Sequence, residues 1–185
     1  MSKAPPRYDV PNAAPDDLRL VQLFVNTTDD HHTRELLDSA RGLRQWLTDH
    51  GLLHRRARVT TADLEHARAL RAGLHDLLRA NNGGPVATVD ELNRAAARAR
   101  VQLRATAAGG AELRVGAGGV DGALGRIAAA AVLAMLDERW SRLKACRNCS
   151  FAFYDYSRNH AAIWCSMTLC GNRLKTRRYR ARRRG

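Results

Sequence analysis

The sequence predicts a mainly α-helical protein with a small antiparallel β hairpin or sheet (α+β), followed by a C-terminal treble-clef-like metal-binding module. Apolar residues recur at helical spacing in five stretches of the chain. One stretch instead alternates apolar and polar residues on either side of a glycine-containing turn. All four cysteines lie in two pairs within 25 residues near the C-terminal end.

Composition and charge divide the 185 residues into three parts. Residues 1–16 hold four of the five prolines and few apolar side chains, which predicts a flexible tail. Residues 17–138 are close to neutral and are expected to fold as a helical body without the rest of the chain. Residues 139–185 hold thirteen Lys and Arg and one acid, so they carry +12 of the formal net charge of +13. This asymmetry predicts a polyanionic partner.

Capping residues and apolar spacing place the first two helices. The first begins after Asp16 or Asp17 and covers residues 18–25. The second begins at Thr33 and ends near residue 50, and its apolar positions form one amphipathic face.

The next two helices are predicted in the same way. Thr60 or Thr61 caps the third helix, which carries an apolar stripe over residues 64–78 and is stopped by the polar and glycine residues 81–85. The fourth opens at residues 88–90 and runs to Ala99.

A hairpin and a fifth helix complete the body. Residues 101–105 and 113–115 alternate apolar and polar side chains around a turn at 107–110, which predicts two paired strands. The fifth helix covers Leu124 to Leu136 and runs on through Trp140 toward the cysteines. The glycines at 116–119 are not followed by Gly-Lys-Ser/Thr, so no phosphate-binding loop is predicted.

The cysteine spacing predicts one structural zinc ion. Two residues separate Cys146 from Cys149, fifteen residues follow, and four separate Cys165 from Cys170. Four thiolates can close around one ion at this spacing, and zinc prefers tetrahedral sulfur coordination in structural sites. Two disulfides are disfavoured because residues 1–15 show no apolar export signal. An iron–sulfur cluster is the minor alternative, and His160 is the residue that could replace one cysteine.

A second cluster of polar side chains follows the first helix. His31 and His32 lie beside Asp29 and Asp30, which makes a second metal site conceivable. A solvated polar turn is favoured, because no further ligands recur at usable spacing.

The cysteine region resembles the CGNR zinc finger. The resemblance rests on Trp164–Met167, Cys170-Gly171-Asn172-Arg173 and the basic residues to Arg180, with agreement upstream around Phe153-Tyr154-Asp155. It implies a treble-clef-like zinc finger over residues 139–185. The family often has an arginine just before Trp-Cys, where this chain has Ala162 and Ile163, so any nucleic-acid contact made by that arginine is absent here.

The helical body is similar to the ABATE domain, which usually precedes the CGNR finger. The similarity rests on Leu23–Thr27, Leu43–Leu47 and Gly51–Leu53. Proteins with this arrangement are described as stress-induced transcription regulators. The resemblance implies a mainly helical body with a small antiparallel sheet at residues 17–138.

A basic helix is expected after the last cysteine. Ser166 can cap a helix that continues through Cys170 into the basic run, where arginines three and four residues apart share one face. A phosphate backbone would relieve the repulsion among them, although Arg173 could instead brace the finger through a hydrogen bond to Asp155 or to a backbone carbonyl. The candidate nucleic-acid-binding residues are Arg173, Lys175, Arg177, Arg178 and Arg180.

These features predict a cytoplasmic, DNA-binding transcription regulator whose finger binds double-stranded DNA. The body is assigned either the sensing of a small-molecule effector or homodimer formation. An RNA-associated zinc-binding protein is the alternative, but with ten aromatic residues the chain is poor in stacking platforms. A metalloenzyme is disfavoured, because a four-cysteine zinc has no open coordination position. The sequence contains no stretch of eighteen apolar residues, so no membrane span is predicted.

Overall fold

The structure, a computed structural model, describes residues 12–29 and 34–171. Within these ranges it contains five α-helices and three two-stranded antiparallel sheets. The helices are α1 (Leu18–Val25), α2 (Ala40–Asp49), α3 (Thr61–Ala80), α4 (Asp90–Arg98) and α5 (Gly119–Leu136). The sheets pair β1 (Thr28–Asp29) with β2 (Arg34–Glu35), β3 (Val101–Ala105) with β4 (Ala111–Val115), and β5 (Leu143–Ala145) with β6 (Ala152–Tyr154). The mainly α-helical fold with small antiparallel sheets is thus confirmed.

Helix α3 begins where the capping residues predicted it. The Thr60 Oγ1 accepts a hydrogen bond from the Asp63 N–H at 3.2 Å, and the Asp63 carboxylate accepts one from the Thr60 N–H at 2.8 Å. This reciprocal pair satisfies two N–H groups that a helix start leaves without partners. The leucine stripe of α3 is buried along its length, as an amphipathic pattern requires.

The predicted start of the second helix at Thr33 is wrong. Arg34 and Glu35 are extended and pair with β1, and α2 begins at Ala40 after Ser39, whose Oγ accepts from the Gly42 N–H at 3.1 Å. Both carboxylate oxygens of Glu35 bind the Arg71 guanidinium at 2.6 Å. This bidentate ion pair holds the segment in an extended conformation, although its apolar residues continue the helical spacing of α2.

Helix α5 lies at the centre of the core and begins at Gly119, five residues before the predicted start. By length and composition it is long and apolar enough to cross a membrane, but 61% of it is buried inside the protein. The small side chains of α5 permit close packing: a Cβ on Gly125 would lie 2.1 Å from the Cβ of Ala99. The helix is therefore the central packing element of the body.

The prediction that the fifth helix continues through Trp140 is wrong. It ends at Leu136, and Glu138 adopts a left-handed conformation with φ +66°, which interrupts the helix. A short 3₁₀ helix, Arg139–Arg142, then leads into β5. The turn brings Trp140, 8% exposed, back into the core.

The hydrophobic core does not divide at residue 138. In the β5–β6 hairpin, Leu143, Ala145, Ala152 and Tyr154 are buried in one cluster with the helices of the body. Phe153, which follows the alternation of the strand, instead joins the cysteines in a second cluster. One face of the hairpin therefore packs on the body and the other covers the cysteines.

Part of the predicted N-terminal tail is ordered against this hairpin. The Asn12 carbonyl accepts from the Tyr154 N–H at 3.0 Å, the Asn12 side-chain amide donates to the Cys165 carbonyl at 3.0 Å, and Ala14 is 5% exposed. The expectation of a flexible segment through residue 16 is therefore wrong for residues 12–16. Residues 1–11 lie outside the described part of the chain.

Candidate metal centre

The first cysteine pair lies on a tight turn between β5 and β6. The Cys146 N–H donates to the Phe151 carbonyl at 3.0 Å, and the Ser150 N–H donates to the Cys146 carbonyl at 2.9 Å. Ser150 closes the turn in the left-handed region at φ +61°. These contacts bring the two sulfurs to the same side of the hairpin.

The second pair lies on a separate turn after residue 163. The N–H groups of Cys170 and Gly171 both donate to the Ser166 carbonyl, at 2.9 and 3.1 Å, in a π-helical turn over Met167–Gly171. The predicted α-helix from Ser166 is thus a π-helical turn as far as Gly171. Its predicted continuation into the basic run lies outside the described residues.

The four sulfurs match the geometry of a tetrahedral zinc site. All four lie within 4.8 Å of one another, and the Cys149–Cys165 and Cys165–Cys170 sulfur distances are 3.6 Å. Zinc–sulfur bonds of about 2.3 Å give a tetrahedron with edges of about 3.8 Å. A disulfide would need sulfurs about 2.05 Å apart, and all four cysteines are free. Cys146, Cys149, Cys165 and Cys170 form the site of one structural zinc ion.

The sulfurs of the cluster also shift one another's pKa values. Hydrogen bonds from the Cys149 and Cys165 thiols lower the pKa of Cys146 well below its ordinary value. The contact with Cys146 raises the pKa of Cys149 to about 12, and contacts with Cys146 and Cys149 raise the pKa of Cys165. A divalent metal bound among these sulfurs would stabilise their thiolate forms, because the thiolate is the form of cysteine that coordinates zinc.

Aromatic side chains shield the sulfurs from water. Phe151 and Phe153 are buried against the cysteines, with Trp164 partly buried beside them. Tyr154 belongs to the opposite face of β6 and packs in the core of the body.

A buried ion pair supports the loop between the two cysteine pairs. The Lys144 Nζ lies 2.7 Å from Asp155 Oδ2, and the two side chains are 6% and 0% exposed. Asp155 also accepts hydrogen bonds from the Ser157 N–H and Oγ and from the Ala162 N–H. Lys144, rather than Arg173, is the described basic partner of Asp155, and Arg173 itself lies outside the described residues.

Amide side chains attach the β5–β6 hairpin, called the zinc hairpin because its turn carries Cys146 and Cys149, to α1. Both the donor and the acceptor of the Asn26 amide bind the backbone of Ala152, and the Gln22 amide donates to the Ala152 carbonyl at 3.1 Å. These residues are 6% and 2% exposed. Their role was not predicted from the sequence, although two amides four residues apart on the apolar face of a helix are a detectable signal, since buried polar groups require partners.

Amides at the end of α3 attach the hairpin from the other side. The Asn81 side chain donates to the carbonyls of Trp140 and Leu143, and the Asn82 side chain donates to those of Ala145 and Ile163, at 2.7–3.1 Å. From the sequence, both asparagines were predicted only to end a helix. They instead hold the cysteine turns on the body.

His160 does not complete the metal site. His160 is exposed and at φ +51°, and its contribution to the hairpin is a backbone carbonyl that accepts from Lys144. Among the described residues, the group with metal-binding geometry consists of the four cysteines. The residues of the second candidate cluster, apart from Asp29, lie outside the described ranges. So do all five candidate nucleic-acid-binding residues, Arg173, Lys175, Arg177, Arg178 and Arg180.

Comparison with known protein families agrees with this architecture. Residues 18–138 match the ABATE family, described as "Putative stress-induced transcription regulator". Residues 142–183 match the CGNR zinc finger. A search of curated proteins returned no match. Because the first match alone covers more than half of the chain, the protein belongs to the ABATE family and carries a C-terminal CGNR zinc finger.

Proposed function

We propose that the protein is a cytoplasmic transcription regulator that binds double-stranded DNA through the segment following its zinc site. One observation carries this proposal: the zinc-binding cysteines are followed directly in the sequence by the most basic part of the chain. Cys170 lies in the zinc cluster, and residues 173–184 contain eight Lys and Arg and no acid. A metal-bound cysteine restrains the start of this segment, which reduces the entropy lost when its cations meet phosphates.

Two described arginines extend the positive charge onto the body. Arg147, within the cysteine turn, and Arg79, in α3, are exposed and line an open cleft of about 360 Å³ beside Cys146. The Arg147 Nε donates to the Asn82 carbonyl at 2.7 Å, which fixes its position beside the zinc site. Phosphate contacts from this surface would set the orientation of the protein on a duplex, whereas base contacts would supply sequence preference.

The zinc ion has a structural role in this proposal. Four thiolates fill a tetrahedral coordination shell, so no position is open to activate water, and we expect no catalysis at the site. The helical body is assigned a regulatory role, either sensing a small-molecule effector or forming a homodimer. The ABATE family description supports regulation of transcription but names no ligand.

Selection of bound sequences from a random duplex DNA pool, with an RNA pool in parallel, tests the proposal. We expect enrichment of a defined duplex sequence and weaker, unspecific retention of RNA. Preferential enrichment of RNA would favour the alternative of an RNA-associated zinc protein. Retention of both pools without any enriched sequence would contradict a sequence-specific regulator.

A further inference from the structure

A cavity of about 330 Å³ lies where α1, α2 and the zinc hairpin meet. Apolar side chains from all three elements line it, among them Leu23, Trp46, Phe151 and Phe153. Its volume is near the lower end of the range for small-molecule sites, roughly 300–1,000 Å³. The cavity therefore has room for a compact organic molecule with a flat apolar part.

The polar lining of this cavity combines three amide side chains and His50 with charged groups. Among the described residues, Arg19 and Arg34 supply two cations, and Asp49, which accepts a hydrogen bond from Gln45 at 2.7 Å, supplies one carboxylate. Arg19 donates to the Gln22 side chain at 2.7 Å, and Arg34 donates to the Asn26 carbonyl at 2.8 Å. These contacts hold both guanidinium groups at the cavity. A guanidinium carries five N–H donors, so Arg19 can hold the Gln22 side-chain oxygen and a ligand carboxylate together.

We propose that this cavity binds a small organic anion with an aromatic body, of the class of aryl carboxylates. The aromatic walls favour a planar apolar ring, since offset or edge contacts between rings add to the burial of their surface. The two arginines favour a carboxylate, because the guanidinium fork matches its two oxygens. A neutral or cationic molecule of the same shape would lose these charge-assisted bonds.

A ligand in the cavity would touch the segment that carries the zinc site. Phe151 and Phe153 line the cavity and also belong to the buried cluster of the four cysteines. Ala152, between them, is bound by the amides of Gln22 and Asn26, which line the same cavity. Binding would thus change the packing between the body and the finger, which gives a physical route to a coupling between ligand and DNA.

The binding site itself stands independently of DNA recognition, and only this regulatory coupling rests on the proposed function. Isothermal titration calorimetry of the zinc-loaded full chain, without DNA, tests the site. The probes are phenylacetate and indole-3-acetate, with phenylethylamine and 2-phenylethanol as cationic and neutral counterparts. We expect one-to-one binding of a carboxylate that is at least about tenfold tighter than that of either counterpart, as lost charge-assisted hydrogen bonds require.

Matched variants locate the binding. Arg19→Gln with Arg34→Gln should weaken carboxylate binding about tenfold or more, whereas Arg41→Gln with Arg44→Gln, on the exposed face of α2, removes the same charge and should not. Leu36→Trp, at a lining residue that is 39% exposed, should block the cavity without disturbing the buried core. Zinc content and the unfolding midpoint verify that each variant is folded.

Three results would overturn the proposal: no binding of either carboxylate, equal binding of phenylethylamine, or unchanged carboxylate binding in the Leu36→Trp variant. Measuring DNA affinity with and without a carboxylate that binds the cavity then tests the coupling separately. A carboxylate that binds the cavity but leaves DNA affinity unchanged would refute the coupling and leave the site standing. A chain that binds the carboxylate but no DNA would refute the proposed function alone.

Discussion

The side-chain amide of Asn26, the residue that follows α1, pairs with the backbone of Ala152 as a neighbouring strand would. The Ala152 N–H donates to Asn26 Oδ1 at 2.7 Å, and Asn26 Nδ2 donates to the Ala152 carbonyl at 2.9 Å. The residue that caps the C-terminal end of α1 thereby satisfies the backbone of Ala152, the first residue of β6. This contact joins the helical body to the zinc hairpin more directly than any charged pair described in the structure.

Replacing Asn26 should therefore loosen the hairpin. Asn26→Leu conserves volume but leaves the buried Ala152 N–H without an acceptor, so we expect the free energy of unfolding to fall by about 2 kcal/mol. Urea denaturation of the zinc-loaded chain measures the change. Asn93→Leu, on the exposed face of α4, is the matched control and should change stability by less than about 0.5 kcal/mol. Equal effects at the two positions would refute the anchoring role.

The zinc site should lose metal when any one of its sulfurs is removed. The purified protein should carry one zinc ion per chain, and Cys170→Ser should lower that content, because a serine hydroxyl is a far weaker zinc ligand than a thiolate. Metal analysis by mass spectrometry measures the stoichiometry. His160→Ala, a change in the loop between the pairs, should retain a full equivalent of zinc. Full retention in Cys170→Ser would show that another ligand completes the site.

The ion pair of Lys144 and Asp155 should behave as a coupled, buried unit. Lys144→Met leaves a buried carboxylate without its cation and should cost about 3–5 kcal/mol. Lys144→Met combined with Asp155→Leu should cost less than the sum of the single changes, because neither charge then remains unpaired. Denaturation of the four chains gives the coupling energy. Additive single effects would mean that the two side chains act independently.

Acid should weaken the same pair. Burial alone would raise the pKa of Asp155, but hydrogen bonds from Lys144 and Ser157 outweigh it and hold the pKa below its usual range. Since the folded pKa is lower than the unfolded value of about 3.9, this carboxylate stabilises the fold fully above that value and progressively less as the pH falls through it.

A pH series on one variant checks this direction. The stability difference between the native chain and Asp155→Asn should be largest near neutral pH and should shrink below about pH 4. Glu65→Gln, an exposed acid of α3, controls for general effects of acid on the metal site. A difference that stays constant from neutral pH to pH 3 would contradict the depressed pKa of Asp155.

Local signals in the sequence located most of the elements and the ligands. The Thr60 cap, the alternation around residues 107–110 and the cysteine spacing each depend on a few neighbouring residues, and each prediction is confirmed. The predicted start of α2 was wrong because the segment before the helix is strand β2. Its Glu35 is held by Arg71, which is 36 residues away in the chain. Contacts between residues so far apart form only in the folded chain and produce no periodic pattern in the sequence.

The packing of the finger against the body could not be predicted from local sequence patterns either. The jump in charge after residue 138 suggested a boundary in packing, but Trp140 and Leu143 are buried with the helices of the body. Charged side chains lie mostly on the exposed surface. Their distribution along the sequence therefore carries little information about which apolar faces pack together. Independent folding of residues 17–138 stays a prediction, and it requires the body to tolerate the loss of these buried side chains.

The salt dependence of DNA binding tests the central claim most directly. With a duplex obtained by selection, and with about five or six phosphates neutralised, a log–log plot of affinity against salt should have a slope near −5. Arg177→Ala with Arg180→Ala should flatten the slope by about two units, and it should leave the zinc content unchanged. Arg55→Ala with Arg56→Ala, in the exposed connector before α3, removes the same charge away from the finger and should leave the slope as it was. An unchanged slope and affinity in the Arg177 and Arg180 variant would contradict the assignment of DNA binding to the segment that follows the zinc site.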